Sequence, residues 1–263
     1  MNAGNLHTPT ISVVTVCRNS AATIEKTIES VLAQKESGVE YVVVDGASTD
    51  GTLDIVRSYQ AIDSFISEPD QGIADAFNKG ILLATGDIIG LINSDDQLCP
   101  SALATVRRYF SEYPDIDVIH GDVILLGGSK VIKRIKPSGR WWYPWRLVLF
   151  NHPATFVRRE VYLQYGLFDT SYRIAMDVEI FLRWMSSGVK IKYLPEVLVN
   201  MQAGGASGQQ AITGYREVQR AALHHGFHPF LVNLQLIGKL CVWWMLEVIA
   251  KINQEKTSVK ASR

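Results

Sequence analysis

The stretch Asp87-Ile88-Ile89-Gly90-Leu91-Ile92-Asn93-Ser94-Asp95-Asp96 is an apolar run that stops at two adjacent carboxylates. It is too short for an independent helix and rich in Ile and Leu, so it reads as a buried parallel strand. The carboxyl ends of such strands are where open α/β sheets bind ligands. Neighbouring carboxylates repel each other unless a positive group lies beside them, and a divalent cation carrying a diphosphate meets that need with hard oxygen ligands. A solvated turn, with Asp96 starting to cap the helix after Pro100, accounts for the same two residues.

Towards the N-terminus, Thr10 to Cys17 is apolar and β-branched, and Ala21, Ile24, Ile28, Val31 and Leu32 then recur at helical spacing after Ser20. The alternation continues with strands at Tyr41 to Val44, Ser64 to Ser67, Ile88 to Ile92 and from Val118. Helices are predicted at Leu53 to Tyr59, Ile73 to Leu83 and Ala102 to Phe110, the first capped by Thr49 or Asp50. Such alternation implies βαβ units: an α/β fold with a mostly parallel central sheet and helices on both faces. Past Gly121 the regularity weakens. Val123 to Leu126 and Lys130 to Ile135 read as a hairpin about Gly127-Gly128-Ser129, Val178 to Met185 as a helix and Val189 to Leu194 as a strand.

A chain of 263 residues, 47% hydrophobic and 20% charged, has ordinary globular composition. Cys17, Cys99 and Cys241 share no ligand spacing, which argues against a disulfide framework or a zinc site and for a reducing cytoplasmic setting. Residues 1–9 lack a basic start followed by an apolar run, so no secretory signal is expected there. The zero net charge hides an asymmetry. Residues 1–120 carry seven basic against seventeen acidic groups, whereas 121–263 carry nineteen against nine. An acidic half suited to a metal joins a basic half suited to anions, although two solvated faces of one domain would give the same counts.

Three strands finish in polar motifs: Thr15-Val16-Cys17-Arg18-Asn19, Asp45-Gly46 and Asn93-Ser94-Asp95-Asp96. Parallel topology would bring them to one edge and line a crevice able to hold a base, a ribose and a diphosphate. In their order and spacing, ISVVTVCRN, VVVDGASTDGT, SEPDQGIADAFNKG and IGLINSDDQLCP resemble the family 2 glycosyltransferases. These are inverting enzymes of the GT-A fold that use nucleotide-sugar donors, and the third motif is similar to that of the colanic-acid, polysaccharide-assembly branch. The resemblance spans roughly residues 10–210.

It implies that Thr15 and Asp45 contact the nucleotide base and ribose, that Asp95 lies near ribose and metal, and that Asp96 binds Mn²⁺ or Mg²⁺. The family's Asp-x-Asp metal motif has Ser94 at its first position here, which leaves Asp96 as the metal ligand. Asp70, Asn78 and Lys79 belong to the third motif, where Phe77 replaces a frequent Arg. Lys79 or Arg18 would meet the phosphates, unless Lys79 is simply an exposed helical lysine.

Inverting transfer to an alcohol needs a stabilised leaving group and a base for the acceptor's proton. Met176-Asp177-Val178-Glu179 resembles the family's acidic motif before a helix, which implies Asp177 as base and leaves Glu179 as runner-up. A carboxylate favoured by the helix dipole is the alternative for Asp177. His152, in His152-Pro153-Ala154-Thr155-Phe156, resembles a family segment between donor and acceptor sites; a satisfied structural histidine is the other reading. Met201-Gln202 stands where some relatives carry a metal-binding His, so water or diphosphate oxygen would complete the shell. Gly204 and Gly205 begin a glycine-rich segment that resembles a loop closing over the donor, or is an ordinary surface loop. Arg183-Trp184 echoes a processive motif without its preceding glutamines, so a single-addition enzyme is expected.

Lys130, Lys133, Arg134, Lys136, Arg140, Trp141, Trp142, Tyr143, Trp145 and Arg146 mix cations with aromatics, and Phe230 to Ile252 is a long apolar helix interrupted by Asn233, Gln235, Lys239 and Glu247. This helix suits either the inner face of the cytoplasmic membrane or packing on the core or a second subunit. Nucleic acid is not expected as a partner, because the first half is acidic and no recognised module is present. The expected organisation is a flexible N-terminus at 1–9, a nucleotide-sugar half at 10–125, an acceptor and catalytic half at 126–210 and a helical extension at 211–263. The expected activity is metal-dependent transfer of a hexosyl or N-acetylhexosaminyl group from a UDP-sugar to a saccharide or lipid-linked acceptor in surface polysaccharide synthesis. The competing readings are a nucleotidyltransferase, which should show a glycine-rich basic loop absent from CRNSAATIE, and a non-catalytic sugar-nucleotide-binding or membrane scaffold, which should lack the acids present here.

Overall fold

A computed structural model describes residues 8–137, 150–204 and 210–261, with side chains to residue 245. Its first half alternates strand and helix: β1 (Ile11–Cys17), α1 (Ile24–Leu32), β2 (Val39–Asp45), α2 (Thr52–Ser58), β3 (Ser64–Ser67), α3 (Ile73–Leu83), β4 (Ile88–Asn93), β5 (Gln97–Leu98) and α4 (Ala102–Glu112). There follow β6 (Val118–Gly127), β7 (Lys130–Ile135), β8 (Thr155–Arg158), α5 (Arg159–Tyr165), α6 (Met176–Ser186), β9 (Ile191–Gln202), α7 (Ala211–His224) and α8 (Pro229–Ala261).

One sheet runs in the order β3-β2-β1-β4-β8-β6-β9-β5, with β7 paired to β6. Strands β3, β2, β1 and β4 are parallel, as are β6 and β9. The period-2 alternation of strand side chains divides the core. Val14, Val16, Val42, Val44, Ile89 and Leu91 face α3, α5 and α6, while Val13, Tyr41, Val43, Ile88 and Ile92 face α1, α2 and α4. Helices on both faces of a mostly parallel sheet match the expected α/β architecture, and the hairpin of β6 with β7 forms about Gly128 at φ +65°.

Helix α5, which no pattern marks, and β6, which runs unbroken from Val118 to Gly127, depart from the sequence expectation, as do strands β8, β9 and β5. Strand β8 enters antiparallel between β4 and β6. It fits because residue 90 is glycine: a Cβ there would lie 2.4 Å from Phe156 Cε1. Strand β9 continues to Gln202, well past Leu194, because it borders β6 along most of its length and then takes β5 as an antiparallel partner. Two-residue β5 exists only through that pairing and has no periodicity to read.

Helix α7 packs on α6, and α8 packs on α7. Ala221, Ala222 and Val232 join the core, so the C-terminal extension is partly a core element. Among the described residues, no helix is long and apolar enough to cross a membrane. The segment from Arg140 to Arg146, with its three tryptophans, lies outside the described residues; Arg134 on β7 pairs with Asp122 at 2.6 Å.

Candidate active site

The parallel register aligns Cys17 with Asp45 and Val16 with Asn93, so β1, β2 and β4 end together. Their ends open into a cleft of about 1200 Å³ that continues along the N-terminus of α6 and one side of α7. Arg18, Asn19, Asp70, Asn93, Asp95, Asp96, His152, Asp177 and Gly204 all line it. Gly205 lies outside the described residues.

Asp45 and Thr15 sit beneath this surface. Asp45 is fully buried and accepts from the Ser48 N–H at 2.9 Å, the Ser48 hydroxyl and the Ser67 hydroxyl at 2.7 Å. These bonds tie down the loop after β2, in which Ala47 holds a left-handed φ of 56°. Thr15 is also fully buried and accepts from the Tyr41 hydroxyl at 3.1 Å. Asn19 reinforces the same loop: its N–H donates to Ser48 Oγ, and its Oδ1 accepts from the Thr49 N–H, each at 2.8 Å.

At the rim, the Asp70 carboxylate occupies space that only a glycine leaves open. A Cβ on Gly46 would lie 2.0 Å from Asp70 Oδ2, while Asp70 Oδ1 accepts from the Gly72 N–H at 2.9 Å. Lys79 does not line the cleft. Its ammonium meets Glu68 at 2.9 Å and Asp75 at 3.3 Å and donates to the Pro69 carbonyl at 2.8 Å. Asn78 exchanges two 2.9 Å hydrogen bonds with the backbone of Phe168 and staples α3 to the second half of the chain.

Asp96 is 1% exposed. Its Oδ2 accepts from Asn93 Nδ2 at 2.9 Å, while its Oδ1 has no hydrogen-bond partner. Burial first, and the neighbouring Asp95 second, push its pKa up to about 7 against the lowering effect of the Asn93 amide and of the Gln202 and Asn93 backbone; burial also raises Asp95. A buried anionic oxygen without a partner is costly, and a hard divalent cation is the chemical group that fits it. Among the described residues no three His, Cys, Asp or Glu side chains gather into a metal cluster. Asp96 with Asp95 would therefore hold a cation whose other ligands come from water or a bound phosphate.

Asp177 stands in the first turn of α6, half-buried, with Oδ1 accepting from the Val178 N–H at 2.8 Å. Burial raises its pKa to about 6, against the lowering effect of that bond. A carboxylate tuned toward neutrality in a cleft suits a general base. Glu179 is differently placed. It is buried and pairs with Arg183 at 2.5 Å and His225 at 3.2 Å. Arg183 also donates to the carbonyls of Tyr165 and Leu167, each at 2.9 Å, so this pair braces the fold.

His152 packs its ring 5.1 Å from Phe77 and 5.9 Å from Phe168, and its Nε2 has no partner. Burial lowers its pKa to about 4, which keeps the imidazole neutral near pH 7. Glu217, which no motif marks, accepts three backbone N–H groups from the turn before α6. The only trace of it in the sequence is one acid on an amphipathic helix.

A model of the family described as "Glycosyl transferase family 2" matches residues 12–179. A PGL/p-HBAD biosynthesis glycosyltransferase from Mycobacterium tuberculosis is 30% identical over 202 residues, covering 73% of this chain and 75% of that protein. An uncharacterised glycosyltransferase from Nostoc is 34% identical over 133 residues, 49% of this chain and 41% of that one. Among solved structures, S. aureus TarS 1-349 in complex with UDP-GlcNAc superposes with a TM-score of 0.64 at 19% identity, over 88% of this chain and 71% of TarS 1-349. The mannosyltransferase PcManGT from Pyrobaculum calidifontis, in complex with GDP-Man and Mn²⁺, gives a TM-score of 0.62 at 17% identity, over 94% and 81%.

Proposed function

The chain belongs to glycosyl transferase family 2, with the GT-A fold, and we propose that it carries out a metal-dependent, inverting transfer of a sugar from a nucleotide-sugar donor to an acceptor hydroxyl. One observation carries the reading: a single cleft contains both the unpartnered, buried oxygen of Asp96 and the raised-pKa carboxylate of Asp177. These are the two groups that inverting transfer needs, one for the leaving diphosphate and one for the acceptor's proton.

In this reading the donor's nucleotide lies over the ends of β1, β2 and β4. Arg18, Asn19 and Asp70 form the rim, and Asp45 and Thr15 act from below by holding the loop and strand on which it rests. Asp96, oriented by Asn93, would hold Mn²⁺ or Mg²⁺ with Asp95 beside it. Bound there, the cation's chemistry is charge neutralisation on the departing nucleoside diphosphate. Asp177 accepts the proton of the acceptor hydroxyl as that oxygen attacks the anomeric carbon from the face opposite the leaving group, which inverts the configuration. Neutral His152, its ring packed on Phe77 and Phe168, shapes the wall of the cleft that holds Asp96 and Asp177.

We assign a UDP-sugar as donor and a saccharide or lipid-linked hydroxyl as acceptor, in surface polysaccharide synthesis on the cytoplasmic side. The UDP-GlcNAc bound by TarS supports the donor class. Helix α8 supports a membrane-surface setting: Phe230, Ile237 and Trp244 are 68%, 58% and 65% exposed on it. The test is a panel of UDP-, GDP- and dTDP-sugars screened for thermal stabilisation with and without MnCl₂. A UDP-sugar should raise Tm only with metal. Equal stabilisation without metal would sink the metal-dependent reading.

A further inference from the structure

Helix α6 starts without a cap of its own. Ala175 occupies the N-cap position, where a Ser, Thr or Asp side chain would ordinarily satisfy free N–H groups. Just ahead of the helix, three successive N–H groups, those of Arg173, Ile174 and Ala175, converge on the Glu217 carboxylate at 2.9, 2.8 and 2.9 Å. Glu217 stands on α7, more than forty residues further along the chain.

The same helix grips this turn twice more. Arg220 stacks 3.7 Å over the Tyr172 ring and donates to the Ser171 carbonyl at 2.9 Å. Gly214 lies so close that a Cβ there would come within 3.1 Å of Ile174 Cγ2. Gly214, Tyr215 and Val218 of α7 also line the cleft. One helix is thus both a wall of the site and the anchor of the turn that carries Asp177.

We propose that Glu217 is a positioning residue for glycosyl transfer: by gathering the three N–H groups just ahead of Asp177, it fixes where that carboxylate stands in the cleft. The inference rests on the reading of Asp177 as base. Charge-assisted hydrogen bonds to successive N–H groups are strong and directional, so the turn cannot shift without breaking several at once. Asp177 is two residues beyond Ala175 on a rigid helix and inherits that position. Displacement of a reacting group by about 1 Å costs on the order of 100-fold in rate.

The test compares Glu217→Gln, which keeps the side chain's length and one acceptor oxygen, with Glu217→Ala. Three measurements are made on the full chain: ¹³C NMR titration of the Asp177 carboxyl, UDP binding in MnCl₂, and nucleoside diphosphate release from UDP-GlcNAc and GDP-mannose. Folded Glu217→Gln should bind UDP within about twofold of wild type. Its Asp177 midpoint should fall by roughly one pH unit as water reaches the carboxyl, and turnover should fall roughly 10- to 100-fold. Loss of the Glu217 charge alone would shift the midpoint equally in Glu217→Gln and Glu217→Ala, whereas positioning predicts the larger shift and the larger turnover loss in Glu217→Ala, so equal shifts or an unchanged midpoint in the folded variants overturn the proposal. Failure of Glu217→Gln to fold overturns it too, because the carboxylate would then be a requirement of the fold. Turnover surviving in Asp177→Asn would remove the base reading alone and leave the NMR result on Glu217 standing.

Discussion

Asn93 and Asp96 exchange two hydrogen bonds, 2.9 Å from the amide Nδ2 to Oδ2 and 3.1 Å from the Asp96 N–H to the Asn93 carbonyl, which leave the carboxylate's other oxygen buried and unpartnered. Folding in the absence of a cation therefore favours protonated Asp96, whose pKa rises from 3.8 to about 7. An acid with a raised folded pKa binds its proton more tightly when folded, so its contribution to stability falls as pH rises from about 4 to about 7. The full penalty is on the order of 4 kcal/mol. Urea unfolding from pH 4 to 8 should show this loss in metal-free protein, and saturating MnCl₂ should flatten it. The same slope with and without metal would contradict a cation site at Asp96.

Asp96→Asn removes the buried charge and keeps the shape. Its metal-free Tm at pH 7.5 should equal or exceed that of wild type, because an uncompensated buried carboxylate is lost. Its metal-dependent stabilisation by nucleotide sugar should disappear. A lower Tm together with normal donor stabilisation would make Asp96 a structural acid.

Asp177→Asn should bind donor normally yet lose transfer by about 10² to 10⁴-fold, the usual contribution of a general base. In wild type, kcat should climb with pH through about 6, since the base acts only when deprotonated. A flat profile between pH 5 and 7, or turnover in Asp177→Asn, would take the role away from this residue.

Glu179→Ala separates the neighbouring acid from the chemistry. It strands Arg183 and His225, and should destabilise by about 2–4 kcal/mol. At temperatures where the variant is folded, kcat should stay within a few-fold of wild type. A selective collapse of kcat with unchanged stability would reverse the assignments of Glu179 and Asp177.

Ile237→Glu combined with Trp244→Glu places charge on the exposed side of α8 without touching buried Val232. Flotation with liposomes containing anionic lipid should show wild type rising with the vesicles and the double variant remaining below, at equal Tm. Equal partitioning would remove α8 from the membrane account, and a change in oligomeric mass would redirect it to a second copy of the chain.

The layered α/β architecture is legible in the order of residues alone, because the continuous apolar runs of β1, β2 and β4 and the 3.6-residue hydrophobic period of α1 and α3 are local properties of the chain. The same order marks the strand-end acids, since a run such as Ile88 to Ile92 that stops at Asp95-Asp96 is visible without any fold. How those acids differ depends on the folded surroundings of each. Asp45, surrounded by Ser48 and Ser67 donors, braces a loop, whereas Asp96 keeps an oxygen without a partner. Two acids on one helix part in the same way, Glu179 drawn into a pair with Arg183 and His225 while Asp177 lines the cleft. Strand β8, the length of β9 and the grip of Glu217 on the turn before α6 were equally hidden. Each depends on partners distant in the chain, and hydrogen bonding and desolvation are set by what surrounds a group in space, which no local pattern records.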